Sequence, residues 1–307
     1  MIVLPKYTIT NGLLPIKTEQ EAQSYGFTFE YVYKQNNDNT VLFYWGDKSL
    51  QYEYGRKYFV METGFFNEGC FIDTLGGSQF CSLNTKDGYE AVKHFSLNNK
   101  KSAKEIVYNL PPHRRSKFNA QYGEVKNITA EVVLALQNPG DRSIMSVTNR
   151  KTYFQFVEDC CQFYGSKLFV KLHPWNNNEI LEQFKNIASK YGCECGKAPI
   201  DILSQCNFVI SYNSTIAIDC LLRDIPYVQY GLGTFFNSYG IIFSNHTFPT
   251  SITKSDNGQQ LCDFLIHKYC YYKSMPVQLF ANMIKHYANT HDMFPMIDEF
   301  SYANNIA

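Results

Sequence analysis

Apolar positions follow two patterns along this chain. In the second half, short unbroken apolar runs alternate with stretches whose apolar residues recur every three or four positions. Residues 132–137 (VVLALQ), 167–172 (KLFVKL), 207–211 (NFVIS) and 226–230 (PYVQY) are runs of the first kind, as in strands buried on both faces. Between them, 148–164 carries Phe154, Val157, Cys161 and Tyr164 at helical spacing. Residues 178–191 carry Ile180, Leu181, Phe184, Ile187 and Tyr191 in the same way, and 215–223 reads as a shorter helix. Strand and helix in alternation predict an α/β unit with a doubly wound parallel sheet. Two more helices are expected, at about 260–272 and 276–291. The first half is less regular. Strands are expected at 40–45 (TVLFYW), 57–61 (KYFVM) and 70–75, the last ended by Gly76-Gly77, and a helix over 18–25. Residues 109–127 are polar, with two prolines, and read as the connection between the halves.

Composition narrows the choices. At 307 residues the length suits two domains, and 45% apolar with 18% charged residues excludes a disordered chain. Lys plus Arg and Asp plus Glu are 28 each, so bulk charge holds the protein on neither nucleic acid nor membrane. One local exception is 93–126, with Lys93, Lys100, Lys101, Lys104, Arg114, Arg115, Lys117 and Lys126 against Glu105 and Glu124. No run of 18 apolar residues occurs and the N-terminus lacks a signal-peptide pattern, so a cytoplasmic protein with no membrane span is expected. Ten cysteines include no CxxC pair, so no metal site is expected and the thiols read as buried in a reducing compartment.

Ligands of parallel sheets bind beyond the carboxyl ends of the strands. Four polar clusters follow four expected strands: QNPGDRS at 137–143, KLHP at 171–174, SYNST at 211–215 and GLGTF at 231–235. Asn213, Ser214 and Thr215 start a helix, where hydroxyls cap free N–H groups and a phosphate is favoured. His173 is expected at the neighbouring strand end, aimed at the same point. Lys171 is either a phosphate partner or a surface lysine, and Asp219 either a ribose acceptor or an ordinary polar residue.

These segments, VVLALQNPGDRSI, KLHP and SYNSTIAIDCLLRDIPYVQYGLGTFF, resemble the capsule-polysaccharide transferases related to bacterial Kdo transferases. The resemblance covers roughly 131–240 and implies a GT-B-like fold: two Rossmann-like lobes facing a cleft. It implies an acceptor-binding lobe at 1–126, a nucleotide-sugar-binding lobe at 127–275, and a C-terminal helix at 276–307 packing back on the first lobe. It also implies a UDP- or CMP-sugar donor as co-substrate with no further cofactor. The donor-binding set is then Gln137, Asp141, Lys171, His173, Asn213, Ser214, Thr215, Asp219 and Gly233, with the phosphate role on His173, Ser214 and Thr215. Asp219 departs from the Glu or Gln common in relatives. In the first half, YWGD at 44–47 and METGFF at 61–66 resemble the Trp-Gly and Glu-x-Gly-Phe segments of such transferases, and also phage-encoded relatives implicated in glycosylating hypermodified DNA bases.

Glycosyl transfer needs a stabilised leaving phosphate, an oriented acceptor hydroxyl and a dry site. Glu62, which follows the expected strand 57–61 and precedes Gly64, a glycine that lets backbone approach a ligand, is the first choice for the base, ahead of Asp47 and Asp73. The leading acceptor is a hydroxymethylated pyrimidine in double-stranded phage DNA, with Arg114 and Arg115 on phosphates and Phe65 and Phe66 stacking on an extruded base or packing in the core. The alternative acceptor is a capsule or cell-surface polysaccharide. A non-catalytic nucleotide- or sugar-binding protein is the reading from another class. Kinase and nicotinamide-dehydrogenase chemistry are disfavoured, because neither GxxxxGK[ST] nor GxGxxG occurs.

Overall fold

The structure, a computed structural model, describes the chain except residues 7, 9–10, 31–40, 47–56, 78–79, 118–122, 233–240, 244–246, 253–257, 291 and 307. The chain divides into two compact units, one of Met1–Ile106 with Asp263–Ala307, the other of Val107–Cys262. The expected divisions lay at 126/127 and 275/276. Residues 107–126 go with the second unit for local reasons. The Val125 N–H donates to Lys197 O at 3.1 Å, and Gly123 runs so close to Ala198 that a Cβ would stand 2.3 Å from its Cα.

In the first unit, β1 (Ile2–Pro5) pairs in parallel with β2 (Phe27–Glu30) and with β3 (Val41–Trp45). β4 (Tyr58–Thr63) continues in parallel beside β3, and β5 (Gly69–Asp73) turns back antiparallel. Helix α1 (Glu19–Ser24) starts where Thr18 accepts the Glu21 N–H at 3.0 Å. Helices α2 (Lys86–Lys93) and α3 (Ala103–Asn109) follow.

The second unit holds the parallel sheet expected from the apolar runs. Its strands are β6 (Val132–Ala135), β7 (Leu168–Lys171), β8 (Glu194–Gly196), β9 (Phe208–Ser211), β10 (Tyr227–Gln229) and β11 (Ile241–Phe243). They lie in the order β11-β10-β9-β6-β7-β8, every pairing parallel. Helices α4 (Arg142–Met145), α5 (Arg150–Tyr164), α6 (Asn178–Lys190) and α7 (Ile216–Leu222) alternate with the strands. Tyr153, Val157, Cys160, Cys161, Phe184 and Ala188 from α5 and α6 pack on Leu134, Val170 and Ile210 of the sheet.

The chain then returns to the first unit. Helix α8 (Gly258–Phe264) widens into a π turn at Leu265–Tyr269, and β12 (Cys270–Tyr272) pairs antiparallel with β5. The sequence placed 260–272 in one helix. Gln260, Asp263, His267 and Lys268 recur at helical spacing, but Tyr269, Cys270 and Tyr271 are all buried and pair with β5, so strand pairing decides the conformation of the segment's end. Helix α9 (Val277–Asn289) buries Phe280, Met283, Ile284 and Tyr287 against Phe43 and Phe59. Each large side chain so buried is worth about 2 kcal/mol, which fixes this segment on the first unit. Lys57 Nζ donates to the carbonyls of Ala288 and Thr290 at the end of α9. Eight of the ten free thiols are buried. Among the described residues no helix is long and apolar enough to cross a membrane.

Candidate functional site

The order of the second sheet reverses between β6 and β9, because the chain builds β7 and β8 on one side and β10 and β11 on the other. A crevice at such a reversal is where open α/β sheets bind ligands. Gln137, just beyond β6, and Asn213, just beyond β9, meet there. Gln137 Nε2 donates to Asn213 Oδ1 at 2.8 Å, and the Asn213 N–H donates to Gln137 Oε1 at 3.1 Å. Asn213 Nδ2 donates to Ser143 O and to Leu232 O, each at 2.8 Å. Both residues were expected to bind donor. Their side chains are buried and hydrogen-bonded to each other, and they hold together the three segments that follow β6, β9 and β10. Asp141 is also committed locally: its Oδ1 accepts from the Ser143 N–H at 2.7 Å and hydroxyl at 2.6 Å, capping α4.

The charged rim lies one strand along. Lys171 ends β7, and burial pushes its pKa down to about 8 against the pull of Asp219. His173 is pushed down to about 4, by burial first and then by Lys171, with Lys117 adding to the effect and Asp141 opposing it. Its Nδ1 accepts the Trp175 N–H at 3.3 Å, which leaves the ring proton on Nε2. The imidazole is therefore neutral near pH 7 and offers one N–H, while the cations are Lys171 and Lys117. Asp219 is buried and pushed up to about 6 by desolvation, against Arg223, Ser116 and Lys171. Its carboxylate takes Ser116 Oγ and Arg223 Nη1, both at 3.2 Å, and Arg223 also reaches Asp201 at 3.3 Å. These contacts occupy Asp219 and correct the ribose-acceptor reading.

At the start of α7 the hydroxyl that caps is that of Ser214, accepting the Ile216 N–H at 3.2 Å, while Thr215 makes no side-chain cap. The Ser214 N–H donates to Ser211 Oγ at 3.1 Å. Gly233 lies outside the described residues, as does Asp47.

In the first unit Glu62 is half-buried near the carboxyl end of β4, beside the end of β3. Gly46, with φ +59°, follows β3, and a Cβ there would stand 3.0 Å from Glu62 Oε2. That left-handed backbone and that approach both call for glycine. Asp73, the other strand-end carboxylate, is fully buried. It accepts from the N–H groups of Leu75, Gly76 and Ser82 at 2.7, 2.9 and 2.8 Å, and from the hydroxyls of Ser82 and Tyr269 at 2.6 Å each. Five donors fix it as the anchor of the turn after β5 and correct its assignment as a base.

Phe65 and Phe66 are 3% and 2% exposed. Phe65 stacks on Phe71 at 5.5 Å and on Tyr269 at 6.1 Å, and Phe66 meets Tyr302 at 5.3 Å. They are core, because the returning segment covers them, and they are not a platform for an extruded base. Arg114 and Arg115 belong to the second unit. Arg115 Nε donates to Leu110 O at 2.8 Å and its guanidinium lies 5.5 Å from the Tyr108 ring centre, so its contacts are within its own turn. Lys100, of the same basic stretch, pairs with Asp298 at 2.6 Å. Sequence reasoning missed Lys117, Arg223 and Ser116, whose only signal was the basic stretch or none at all.

No family model matches the chain, and no curated protein matches it by sequence. Solved structures do match. Thermosulfurimonas dismutans KpsC, beta Kdo 2,7 transferase, shares 16% identity over 88% of this chain and 92% of that one, with a TM-score of 0.55. Thermosulfurimonas dismutans KpsC, beta Kdo 2,4 transferase, shares 16% identity over 94% of this chain and 98% of that one, with a TM-score of 0.56. The fold is GT-B-like. The likeness spans both Rossmann-like lobes, and at this identity it is a likeness of fold. Among the described residues no three His, Cys, Asp or Glu side chains gather as a metal site.

Proposed function

We propose that this chain is a glycosyltransferase that moves a sugar from a UDP- or CMP-sugar to a hydroxyl of a capsule or cell-surface polysaccharide. The observation that carries the reading is the rim of the second unit. Lys171 and the neutral imidazole of His173 lie at the end of β7, one strand from the reversal point of a parallel sheet, with the charge of Lys117 acting on the same imidazole, in a fold similar to that of two Kdo transferases. Lys171 and Lys117 offset the charge that grows on the donor phosphate, and His173 donates its Nε2–H to a phosphate oxygen. Glu62 takes the acceptor's proton. The freed oxygen bonds to the anomeric carbon as the bond from that carbon to the donor phosphate breaks, and the electron pair leaves with the phosphate.

The DNA acceptor loses the observations that favoured it. The two phenylalanines are core, Arg115 is turned onto its own loop, and Lys100 is ion-paired. The glycan acceptor rests on the fold neighbours, which are named as Kdo transferases. The test is mass spectrometry after incubation with a panel of UDP- and CMP-sugars and either capsule-type oligosaccharides or hydroxymethylated DNA. A sugar-sized mass increase on the oligosaccharide is expected. Modification of DNA alone overturns the acceptor, and nucleotide binding with no transfer to any acceptor favours a binding protein.

A further inference from the structure

Residues 110–117 lie near the start of the second unit and form a loop stiffened from within. The Arg114 N–H donates to Pro111 O at 2.8 Å and the Arg115 N–H to Pro112 O at 3.3 Å, closing a tight helical turn over Pro112–Arg114. Arg115 Nε folds back onto Leu110 O at 2.8 Å. These bonds shape the loop and do not attach it to the sheet. The attachment is Ser116. Its side chain is buried, and its hydroxyl donates to Asp219 Oδ2 on α7 at 3.2 Å, across 103 positions of sequence.

Asp219 is held ready for that hydroxyl. Arg223, one turn further along the chain, places Nη1 3.2 Å from Asp219 Oδ1 and 3.2 Å from the Asp219 carbonyl, and Nη2 3.3 Å from Asp201. The guanidinium therefore takes one carboxylate oxygen and leaves the other to Ser116. A buried carboxylate is costly unless it is paired and hydrogen-bonded, and Arg223 supplies the pairing from the same stretch of chain. The partner drawn from a distant loop adds a tether between α7 and that loop.

Lys117 follows Ser116 directly. Its charge is felt at the His173 imidazole, just as the charge of Asp219 is felt at Lys171. We infer that Asp219 and Ser116 are positioning residues of the donor site: the bond between them latches the 110–117 loop to α7 and holds the Lys117 ammonium beside the imidazole of His173, where it meets the donor phosphate. The inference rests on the reading that the rim binds a nucleotide sugar. Asp219 and Ser116 act through Lys117 and not on the donor. A latched loop has lost its backbone freedom before the ligand arrives, so binding does not have to order it.

The experiment compares wild type, Ser116→Ala, Lys117→Met and the double variant, each as the full chain. One readout is calorimetric titration with UMP and CMP. The other is the NMR titration of the His173 ring without ligand, its signal assigned by its loss in His173→Asn. Circular dichroism checks the fold of each variant. Lys117→Met is expected to weaken nucleotide binding about 5- to 10-fold, between the worth of an exposed ion pair and that of a charge-assisted hydrogen bond. It is also expected to raise the pH at which His173 titrates, because a neighbouring cation disfavours the imidazolium. Ser116→Ala is expected to produce both effects, and the double variant to be no worse than Lys117→Met alone. Wild-type titration of His173 in Ser116→Ala overturns the latch even where affinity falls, since Lys117 has then not moved. Additive losses in the double variant overturn it, and so does a Lys117→Met variant in which either readout stays at its wild-type value. No binding of either nucleotide to wild type overturns the donor reading, and the His173 titrations then decide the latch on their own.

Discussion

Lys171→Met isolates the energetic consequence of keeping an ammonium group on the rim. The side chain ends a buried strand, and its pKa falls from 10.5 to about 8 through desolvation, even with Asp219 attracting it. At 1.36 kcal/mol per pH unit that gap is about 3 kcal/mol. The sign follows from proton binding. The folded state holds this proton less tightly than the unfolded chain, so the destabilisation is present in full below pH 8. It shrinks as pH rises and is gone above 10.5. Methionine has similar length and no charge. Lys171→Met should therefore be more stable than wild type by up to about 3 kcal/mol at pH 7, the two converging between pH 8 and 10.5. The same variant should bind UMP or CMP about 10- to 100-fold more weakly, the worth of a hydrogen bond to a charged group. Urea denaturation at several pH values, with nucleotide titrations at pH 7, reads both quantities. A variant no more stable than wild type at neutral pH, or an advantage that persists to pH 10.5, refutes the reasoning. A variant that is stabilised but binds nucleotide normally removes Lys171 from the site.

Three further outcomes follow from the same geometry. Asp73→Ala strands five donors, four of them buried, and should destabilise the protein by at least about 3 kcal/mol in chemical denaturation; a smaller loss contradicts its role as an anchor. Glu62→Gln should slow transfer by roughly 10²- to 10⁴-fold with nucleotide affinity unchanged, and normal turnover removes it as the base. His173→Ala should weaken nucleotide binding about 2- to 10-fold, by a ratio that stays constant from pH 5.5 to 8, because burial holds the imaidazole neutral across that range; a ratio that climbs as pH falls through 6.5 shows a titrating, cationic imidazole.

Much of the second unit was legible because its strands are buried on both faces. VVLA, LFVK and FVIS read as continuous apolar runs, and the alternation with helices leaves a parallel sheet as the arrangement that buries both. Which polar residues touch ligand was not legible. Gln137 and Asn213 stand 76 positions apart, and only the sheet order makes them mutual partners. Glu62 and Asp73 both follow apolar runs in strands, and a sequence does not count the five donors around one of them. Phe65 and Phe66 were ambiguous because the residues that cover them, Tyr269 and Tyr302, arrive about 200 positions later. At 260–272 the polar residues Gln260, Asp263, His267 and Lys268 recur at helical spacing and extend the helical reading past its true end, which pairing with the distant β5 decides.

The account depends on the second unit gripping the donor through its phosphate. A crystal structure with bound UDP or CMP tests this most directly. A phosphate oxygen within hydrogen-bond reach of both Lys171 Nζ and His173 Nε2 is the result the account predicts; a nucleotide bound elsewhere, with those two atoms turned away from it, contradicts it.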